Sequence, residues 1–238
     1  DLAGHVLSSI LDEECASMIQ RQLEDHGIRF YLKDSADHFE PDTAYLKSGK
    51  TIAFDVLVLA VGVRANISLF KEIGGEVGRG ITVNERCETS VPGIYAAGDC
   101  AQTMDISSGS RKVLAILPNA YMQGHAAGAV MAGGSQVYDQ AIPMNSIGFF
   151  GLHAMTAGSY EGDLYEEKSA IGVKRLYAKD NLLKGFMLVG TQERAGIYTA
   201  MIREKTPLSS VDFDLLKKTA VTTAFPEAVR RKMFGGVV

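Results

Sequence analysis

Apolar and polar positions along the chain predict helices and strands in succession. Apolar residues recur at helical spacing from Cys15 to Leu23, behind Asp12, a residue type that caps helix N-termini, and ahead of Gly27, which suits a helix C-terminus. Residues 28–32, IRFYL, then predict a strand. A helix that leads into a strand through so short a connection is typical of α/β proteins.

Residues 44–54 predict a hairpin that turns near Gly49. Ala44 together with Gly49-Lys50-Thr51 also satisfies a loose phosphate-loop pattern, [AG]xxxxGK[ST]. A working phosphate loop opens a helix, so that backbone N–H groups face the phosphate. Here Thr51 leads into a strand pattern instead, and the hairpin is favoured.

Residues 56–61, VLVLAV, form a continuous apolar run that ends at Gly62. Such a run predicts a strand buried on both faces of a parallel sheet. Further along, the pattern predicts a short helix over residues 67–73 and short strands over residues 80–83 and 94–97.

Composition narrows the class of protein. The chain has 238 residues, enough for one large domain or two smaller ones, and its 25 glycines favour tight turns and close approach of a ligand to the backbone. The net charge of -4 argues against nucleic-acid binding, and no apolar run has the length of a membrane span. Three cysteines without a CxxC pair favour a cytoplasmic setting over a disulfide scaffold, and no Cys/His spacing predicts a metal site.

Charge is distributed unevenly along the chain. Residues 1–142 contain 11 Lys and Arg against 18 Asp and Glu, whereas residues 143–238 contain 13 against 10. The change of sign supports a domain boundary near Pro143. The excess of basic residues in 143–238 could bind an acidic partner. Ordinary variation in surface charge is the alternative explanation for the same residue counts.

Two segments carry candidate site residues. In the first, Gly98 and Asp99 follow the predicted strand over residues 94–97, and ligands of open α/β sheets bind at the carboxyl ends of strands. A carboxylate there accepts hydrogen bonds from sugar-like hydroxyls, and taken alone it fits a helix cap equally well. In the second, Pro118-Asn119-Ala120 opens a helix that extends to about residue 131, and a helix start offers free N–H groups and partial positive charge.

These segments resemble the pyridine nucleotide-disulfide oxidoreductase family, in particular its rubredoxin reductase-like and nitrite reductase-like members. Residues 55–66 resemble the crossover from the NAD domain to the FAD domain, and residues 89–99 resemble the second FAD motif, which ends in Gly-Asp. Residues 145–152 and 185–190 resemble the family's C-terminal domain.

The resemblance implies an α/β fold made of partial doubly wound nucleotide-binding domains, followed by a small α+β domain. It divides the chain into the tail of an NAD-binding domain (residues 1–50), the return half of an FAD-binding domain (residues 51–142) and a C-terminal interface domain (residues 143–238). No Gly-x-Gly-x-x-Gly pattern occurs, so neither dinucleotide phosphate loop lies in this chain.

The same resemblance implies FAD and NAD(P)H as cofactors. Asp99 would bind the flavin ribityl chain, and the helix that opens at Pro118, Asn119 and Ala120 would face the pyrimidine edge of the flavin. Asp1 would take the place of the acidic residue that binds an adenosine ribose hydroxyl, which favours NADH over NADPH. Gly62 and Gly98 would allow close approach of a ligand to the backbone.

Two functions are therefore expected, one for the intact protein and one for the C-terminal part of this chain. In the first, the intact protein passes electrons from NAD(P)H through FAD to a small acceptor or an electron-carrier protein, and this chain alone is inactive. In the second, residues 143–238 act as a non-catalytic dimerisation or carrier-docking module. The resemblance also implies a homodimer. The sequence identifies no catalytic acid, base or nucleophile, and it does not indicate the electron acceptor.

Overall fold

The computed structural model describes residues 1–191 and 194–234, which form two compact units. The first unit comprises Asp1–Val63 together with Ser146–Ala154, and the second comprises Arg64–Asn145 together with Met155–Val238. The predicted assignment of residues 1–50, 51–142 and 143–238 to NAD-binding, FAD-binding and interface domains stays a prediction.

In the first unit, helix α1 spans Glu13–Asp25 and confirms the prediction from spacing. The Asp12 carboxylate accepts a hydrogen bond from the Cys15 N–H, and Gly27 follows the helix with a φ of +87°. The buried face includes Cys15 and Ile19. A side-chain cap and a left-handed glycine therefore delimit the helix, as expected from the residue types.

A three-stranded antiparallel sheet also belongs to the first unit, in the order β1-β2-β3. Its strands are β1 (Ala36–Phe39), β2 (Thr43–Leu46) and β3 (Thr51–Ala53). Strands β2 and β3 form the predicted hairpin, and Gly49 turns it with a φ of +86°. Because Thr51 begins a strand and not a helix, the phosphate-loop alternative is wrong for this segment.

Two strand predictions in the first unit are wrong. Residues 28–32 and residues 56–61 form no strand, and Val58 and Val61 are 79% and 92% exposed. A strand is held by hydrogen bonds to a neighbour, and within residues 1–191 and 194–234 no strand pairs with either run. The composition of residues 56–61 suits a buried strand, but no second layer covers them in this unit.

The second unit begins with a short helix, a small sheet and a long helix. These elements are α2 (Ser68–Glu72), β4 (Ile81–Thr82), β5 (Ala101–Asp105), β6 (Ser110–Val113) and α3 (Leu117–Met131). Strand β4 pairs with β5 in parallel, and β5 pairs with β6 as a hairpin. The strand predicted over residues 94–97 is reduced to one bridge, between Tyr95 and Glu88, so the prediction is wrong in extent.

A five-stranded sheet with the order β7-β8-β11-β10-β9 follows. Its strands are β7 (Met144–Phe149), β8 (Leu152–Gly158), β9 (Asp163–Lys168), β10 (Val173–Lys179) and β11 (Leu182–Val189). Three helices come after the sheet: α4 (Ala195–Arg203), α5 (Phe213–Lys218) and α6 (Glu227–Phe234). The sequence pattern predicts strands over residues 172–178 and 185–189 and helices over about 195–204 and 226–233, and all four are confirmed.

The largest core of the second unit lies between β10, β11, α4 and α5. It contains Leu176, Leu188, Tyr198 and Leu216, all without exposed surface. The apolar residues within 147–152 predict a second contribution to the core of the C-terminal domain, and this prediction is wrong, because none of them belongs to the cluster. They lie in the hairpin segment grouped with the first unit, where Phe150 is 57% exposed and stacks on His26 at 4.0 Å between ring centroids.

We expect a polypeptide of residues 143–238 to fold cooperatively when expressed alone, because all fully buried members of the largest core except Ile142 lie within it. It loses contacts such as the Ser159 hydroxyl to the Ser107 carbonyl (3.0 Å), which limits its stability. Residues 1–142 should aggregate or self-associate, since residues 56–61 expose contiguous apolar side chains.

Size-exclusion chromatography and thermal melting of both polypeptides test this division. As a control, Leu176→Ala within residues 143–238 should lower the melting temperature sharply, because truncating a buried Leu costs about 2–5 kcal/mol. A soluble monomer with a sharp transition from residues 1–142, with none from residues 143–238, would contradict the division.

Candidate functional site

Gly98 begins a single 3-10 turn, Gly98–Cys100, which leads directly into β5. The chain enters this turn extended at Ala97, and Gly98 then adopts a φ of +81°, a conformation that side chains other than glycine's rarely take. Asp99 is exposed, and its carboxylate makes no hydrogen bond to the part of the chain that the structure describes. The turn therefore presents a carboxylate to solvent at the start of a strand.

The first turn of α3 presents backbone N–H groups. Ile116 precedes the helix in an extended conformation, and no side chain caps it. Ala120 N–H already bonds the Ile116 carbonyl at 3.1 Å, and Pro118 has no N–H. Leu117 and Asn119 thus contribute the N–H groups that carry the positive end of the helix dipole.

The turn and the helix start lie against each other within the second unit. The Gly98 N–H donates to the Gln123 Oε1 at 2.8 Å, and a Cβ placed on Gly98 would lie 3.6 Å from the Ala120 Cβ. A side chain at Gly98 would therefore make only an ordinary van der Waals contact. The positive φ, and not a lack of space, is what favours glycine at this position. Five of the predicted residues meet here: Gly98, Asp99, Pro118, Asn119 and Ala120.

Gln123 is a site residue that the sequence reasoning missed. It is 3% exposed, although it is polar, and it lies on the same helix face as Ala126, Ala127 and Val130. A polar residue within the apolar stripe of α3 is the signal that points to it, because burying an amide is costly unless it forms hydrogen bonds.

The side chain of Asn119 faces the protein interior. It has no exposed surface, its Nδ2 donates to the Ile142 carbonyl at 3.3 Å, and its Oδ1 accepts from the Tyr138 hydroxyl at 2.5 Å. A ligand at the helix start would therefore meet the backbone N–H of Asn119. Burial raises the pKa of Tyr138, although the nearby charge of Arg203 opposes this effect.

Gly62 and Asp1, the remaining predicted site residues, belong to the first unit. Gly62 has a φ of +95° within an exposed segment. Asp1 is exposed, and its Oδ1 accepts from the Ala3 N–H at 2.7 Å. Both are accessible to a ligand in the unit that contains them.

Among the described residues, no disulfide joins Cys15, Cys87 and Cys100, so the cysteines form no redox pair there. Cys87 is buried, and burial raises the pKa of its thiol. Across residues 1–191 and 194–234 no cluster of His, Cys, Asp and Glu is arranged to bind a metal ion. Within the same part of the chain, no helix combines the length and apolarity needed to cross a membrane.

Residues 1–124 match the family model of the pyridine nucleotide-disulphide oxidoreductases. The match covers more than half of the chain, so the chain belongs to this family. The family predicted from residues 55–66 and 89–99 is therefore confirmed.

Similar proteins extend over most of the chain. The epsilon subunit of an NADH-dependent phenylglyoxylate dehydrogenase from Aromatoleum evansii is 30% identical over 222 residues, which are 88% of this chain and 52% of the relative. The chain thus spans about half the length of this relative.

Solved structures agree on the fold. An FAD-dependent pyridine nucleotide-disulphide oxidoreductase from Desulfovibrio vulgaris superposes with a TM-score of 0.80 at 20% identity, over 92% of this chain and 62% of that one. A covalent putidaredoxin reductase-putidaredoxin complex gives a TM-score of 0.80 at 20% identity, over 94% and 57%. The predicted fold class, α/β with partial nucleotide-binding domains, is confirmed.

Proposed function

We propose that this chain is the C-terminal part of a flavoprotein oxidoreductase that passes electrons from NAD(P)H through FAD to a small acceptor or an electron-carrier protein. The observation that carries the proposal is the meeting of the Gly98–Cys100 turn with the start of α3, held by the hydrogen bond from Gly98 to Gln123. Family membership and the partial coverage of longer relatives support it.

The residues at this junction suit the flavin part of FAD. The exposed Asp99 carboxylate can accept hydrogen bonds from ribityl hydroxyls, and charge-assisted hydrogen bonds of this kind are among the stronger ones in proteins. Gly98, without a side chain, leaves its backbone open to close approach. The N–H groups of Leu117 and Asn119 can donate to the carbonyl and nitrogen acceptors of the pyrimidine edge.

When bound, FAD supplies the hydride-accepting and electron-donating chemistry. The start of α3 contributes electrostatically: its N–H groups and positive dipole end stabilise negative charge on the pyrimidine edge, which favours the reduced cofactor. In the first unit, Asp1 would accept a hydrogen bond from an adenosine ribose hydroxyl, which favours NADH over NADPH. Gly62, which has no side chain, would let a ligand approach the backbone closely.

The second candidate function is a docking or dimerisation role for residues 143–238. The excess of basic residues there supports it, because an acidic electron carrier would be attracted to that part. One solved structure similar to this chain is a reductase bound to its putidaredoxin. The acceptor, a homodimer and a cytoplasmic location all remain predictions.

We expect the isolated 238-residue chain to be colourless and inactive toward NADH, because it contains no Gly-x-Gly-x-x-Gly phosphate-binding loop. The complete polypeptide encoded by the same gene should purify with about one FAD per chain and oxidise NADH. Absorbance spectra of both, before and after adding FAD, test the proposal. A complete polypeptide that never binds FAD would overturn it, and a yellow isolated chain with stoichiometric FAD would show that interpreting this chain as a fragment of the flavoprotein is wrong.

A further inference from the structure

Two polar side chains are buried on the inner face of α3, at Asn119 and Gln123. They are 0% and 3% exposed and lie four positions apart in the sequence, which is about one helical turn, so they share one face of α3. An uncharged amide in an apolar interior is costly unless its atoms form hydrogen bonds. The partners of the two amides therefore indicate what the burial achieves.

Gln123 connects α3 to the turn that contains Asp99. Its Oε1 accepts the Gly98 N–H at 2.8 Å, the first N–H of that turn. The backbone carbonyl of Gln123 also accepts from the Cys87 Sγ at 3.4 Å. The side chain of Gln123 is thus a direct polar link between the two elements of the proposed flavin site.

Asn119 connects the first turn of α3 to the segment ahead of β7. Its side chain bonds the Tyr138 hydroxyl and the Ile142 carbonyl at 2.5 and 3.3 Å. Tyr138 is itself anchored, because its N–H donates to the Glu85 carbonyl at 2.7 Å. No side chain caps the N-terminus of α3, so these contacts fix the position of its first turn instead.

We propose that Asn119 and Gln123 are positioning residues, which together set the register between the α3 N-terminus and the Gly98–Cys100 turn. The inference rests on the proposed flavin site. Neither side chain contacts the cofactor in this proposal: Gln123 acts through Gly98 and Asp99, and Asn119 acts through its own backbone N–H. Tyr138 completes the arrangement as the partner that orients the Asn119 amide.

The link at Gln123 is tested first in the 238-residue chain without any flavin. Gln123→Met keeps the side-chain volume close but removes the acceptor, so the Gly98 amide should exchange its hydrogen on the order of tenfold faster. Gln102→Met is the matched control, because the Gln102 Oε1 accepts from the Arg79 and Gly80 N–H groups at 2.8 and 3.1 Å. It should accelerate exchange at Gly80 and leave Gly98 unchanged. Unaltered exchange at Gly98 in Gln123→Met would overturn the link.

A milder variant covers the case in which Gln123→Met does not fold. Tyr138→Phe removes only the hydroxyl, which donates to Asn119 and accepts from the Arg203 guanidinium at 3.5 Å. Exchange at the Ala120 backbone N–H, which bonds the Ile116 carbonyl in the first turn of α3, should rise about fivefold. Tyr198→Phe is its control, since it removes a buried hydroxyl bonded to the Leu216 carbonyl at 2.7 Å. If both Tyr variants accelerate exchange at the Ala120 backbone N–H equally, the effect is general destabilisation and the proposal fails.

The complete FAD-loaded polypeptide provides the functional measurement. Displacing the α3 N-terminus should weaken binding of reduced FAD about fivefold more than binding of oxidised FAD. For a two-electron couple, that ratio lowers the midpoint potential by about 20 mV. A wild-type polypeptide without FAD would overturn the proposed function. Normal FAD binding, with an unchanged potential in both Gln123→Met and Tyr138→Phe, would overturn only the positioning roles.

Discussion

Replacing Asp105 with Ala is expected to lower the free energy of unfolding of the second unit by about 2–4 kcal/mol. Asp105 ends β5, has no exposed surface, and accepts hydrogen bonds from the Ser107 N–H and hydroxyl at 2.9 and 2.6 Å. The Ser108 hydroxyl and the Lys112 Nζ donate to its other oxygen at 2.7 and 2.8 Å. Alanine leaves the buried Ser107 groups without their acceptor.

The pKa of Asp105 gives this prediction a pH signature. Burial by itself raises the pKa of the carboxyl, but the hydrogen bonds from Lys112 and the two serines outweigh it and hold the pKa below the ordinary 3.8. A carboxyl whose folded pKa lies below its unfolded value stabilises the fold above the unfolded pKa. That contribution is lost as the pH falls through the folded pKa.

Urea denaturation of wild type and Asp105→Ala at about pH 7 and about pH 3.5 measures this effect. The difference in unfolding free energy between the two proteins should be largest at the higher pH and should shrink at the lower one. Asp163→Ala, which removes an exposed carboxylate from β9, is the control and should change stability little. A difference that is the same at both pH values would show that the Asp105 charge contributes nothing.

If the proposed function is right, replacing Asp99 with Ala in the proposed flavoprotein is expected to weaken FAD binding about 10- to 150-fold. This corresponds to the loss of charge-assisted hydrogen bonds worth about 1.5–3 kcal/mol. Because the Asp99 side chain is exposed and takes no part in the described hydrogen bonding, the fold should keep its stability. The loss should therefore appear in the FAD dissociation constant and not in the unfolding midpoint of the apoprotein.

Fluorescence titration of the apoprotein with FAD provides the dissociation constants. Asp99→Asn, which retains an oxygen acceptor but no charge, should fall between wild type and Asp99→Ala. Asp163→Ala should bind FAD like wild type, since it removes the same charge from β9, which contributes no residue to the proposed site. FAD affinity that is unchanged in Asp99→Ala would remove this residue from the flavin site.

Local elements were largely predictable from the sequence. Asp12 and Gly27 delimit α1 because capping and left-handed backbone depend on a few neighbouring atoms. Gly49 turns its hairpin, and Pro118 lies in the first turn of α3. The pattern ending in Gly98 and Asp99 also indicated the family before any fold was known, since a motif in order and spacing needs no tertiary contact.

Apolar pattern alone could not predict burial. Residues 56–61 have the composition of a buried strand, yet they are exposed, because burial depends on what other parts of the chain place against them. Residues 147–152 failed as core for the same reason. Conversely, Lys174 is only 2% exposed although its type suggests surface, because its Nζ reaches the Glu167 carboxylate and the Lys218 carbonyl.

The sequence by itself determined the family, the α/β class, the caps and turns, and the two segments that carry the candidate site. Tertiary structure decided that Gly98 and Ala120 lie together, and that Gln123 and Asn119 bind protein groups from the inner face of α3. The physical reason is range. Caps and turns depend on interactions within a few residues, whereas a buried amide is satisfied by partners about twenty residues away, whose positions follow only from packing.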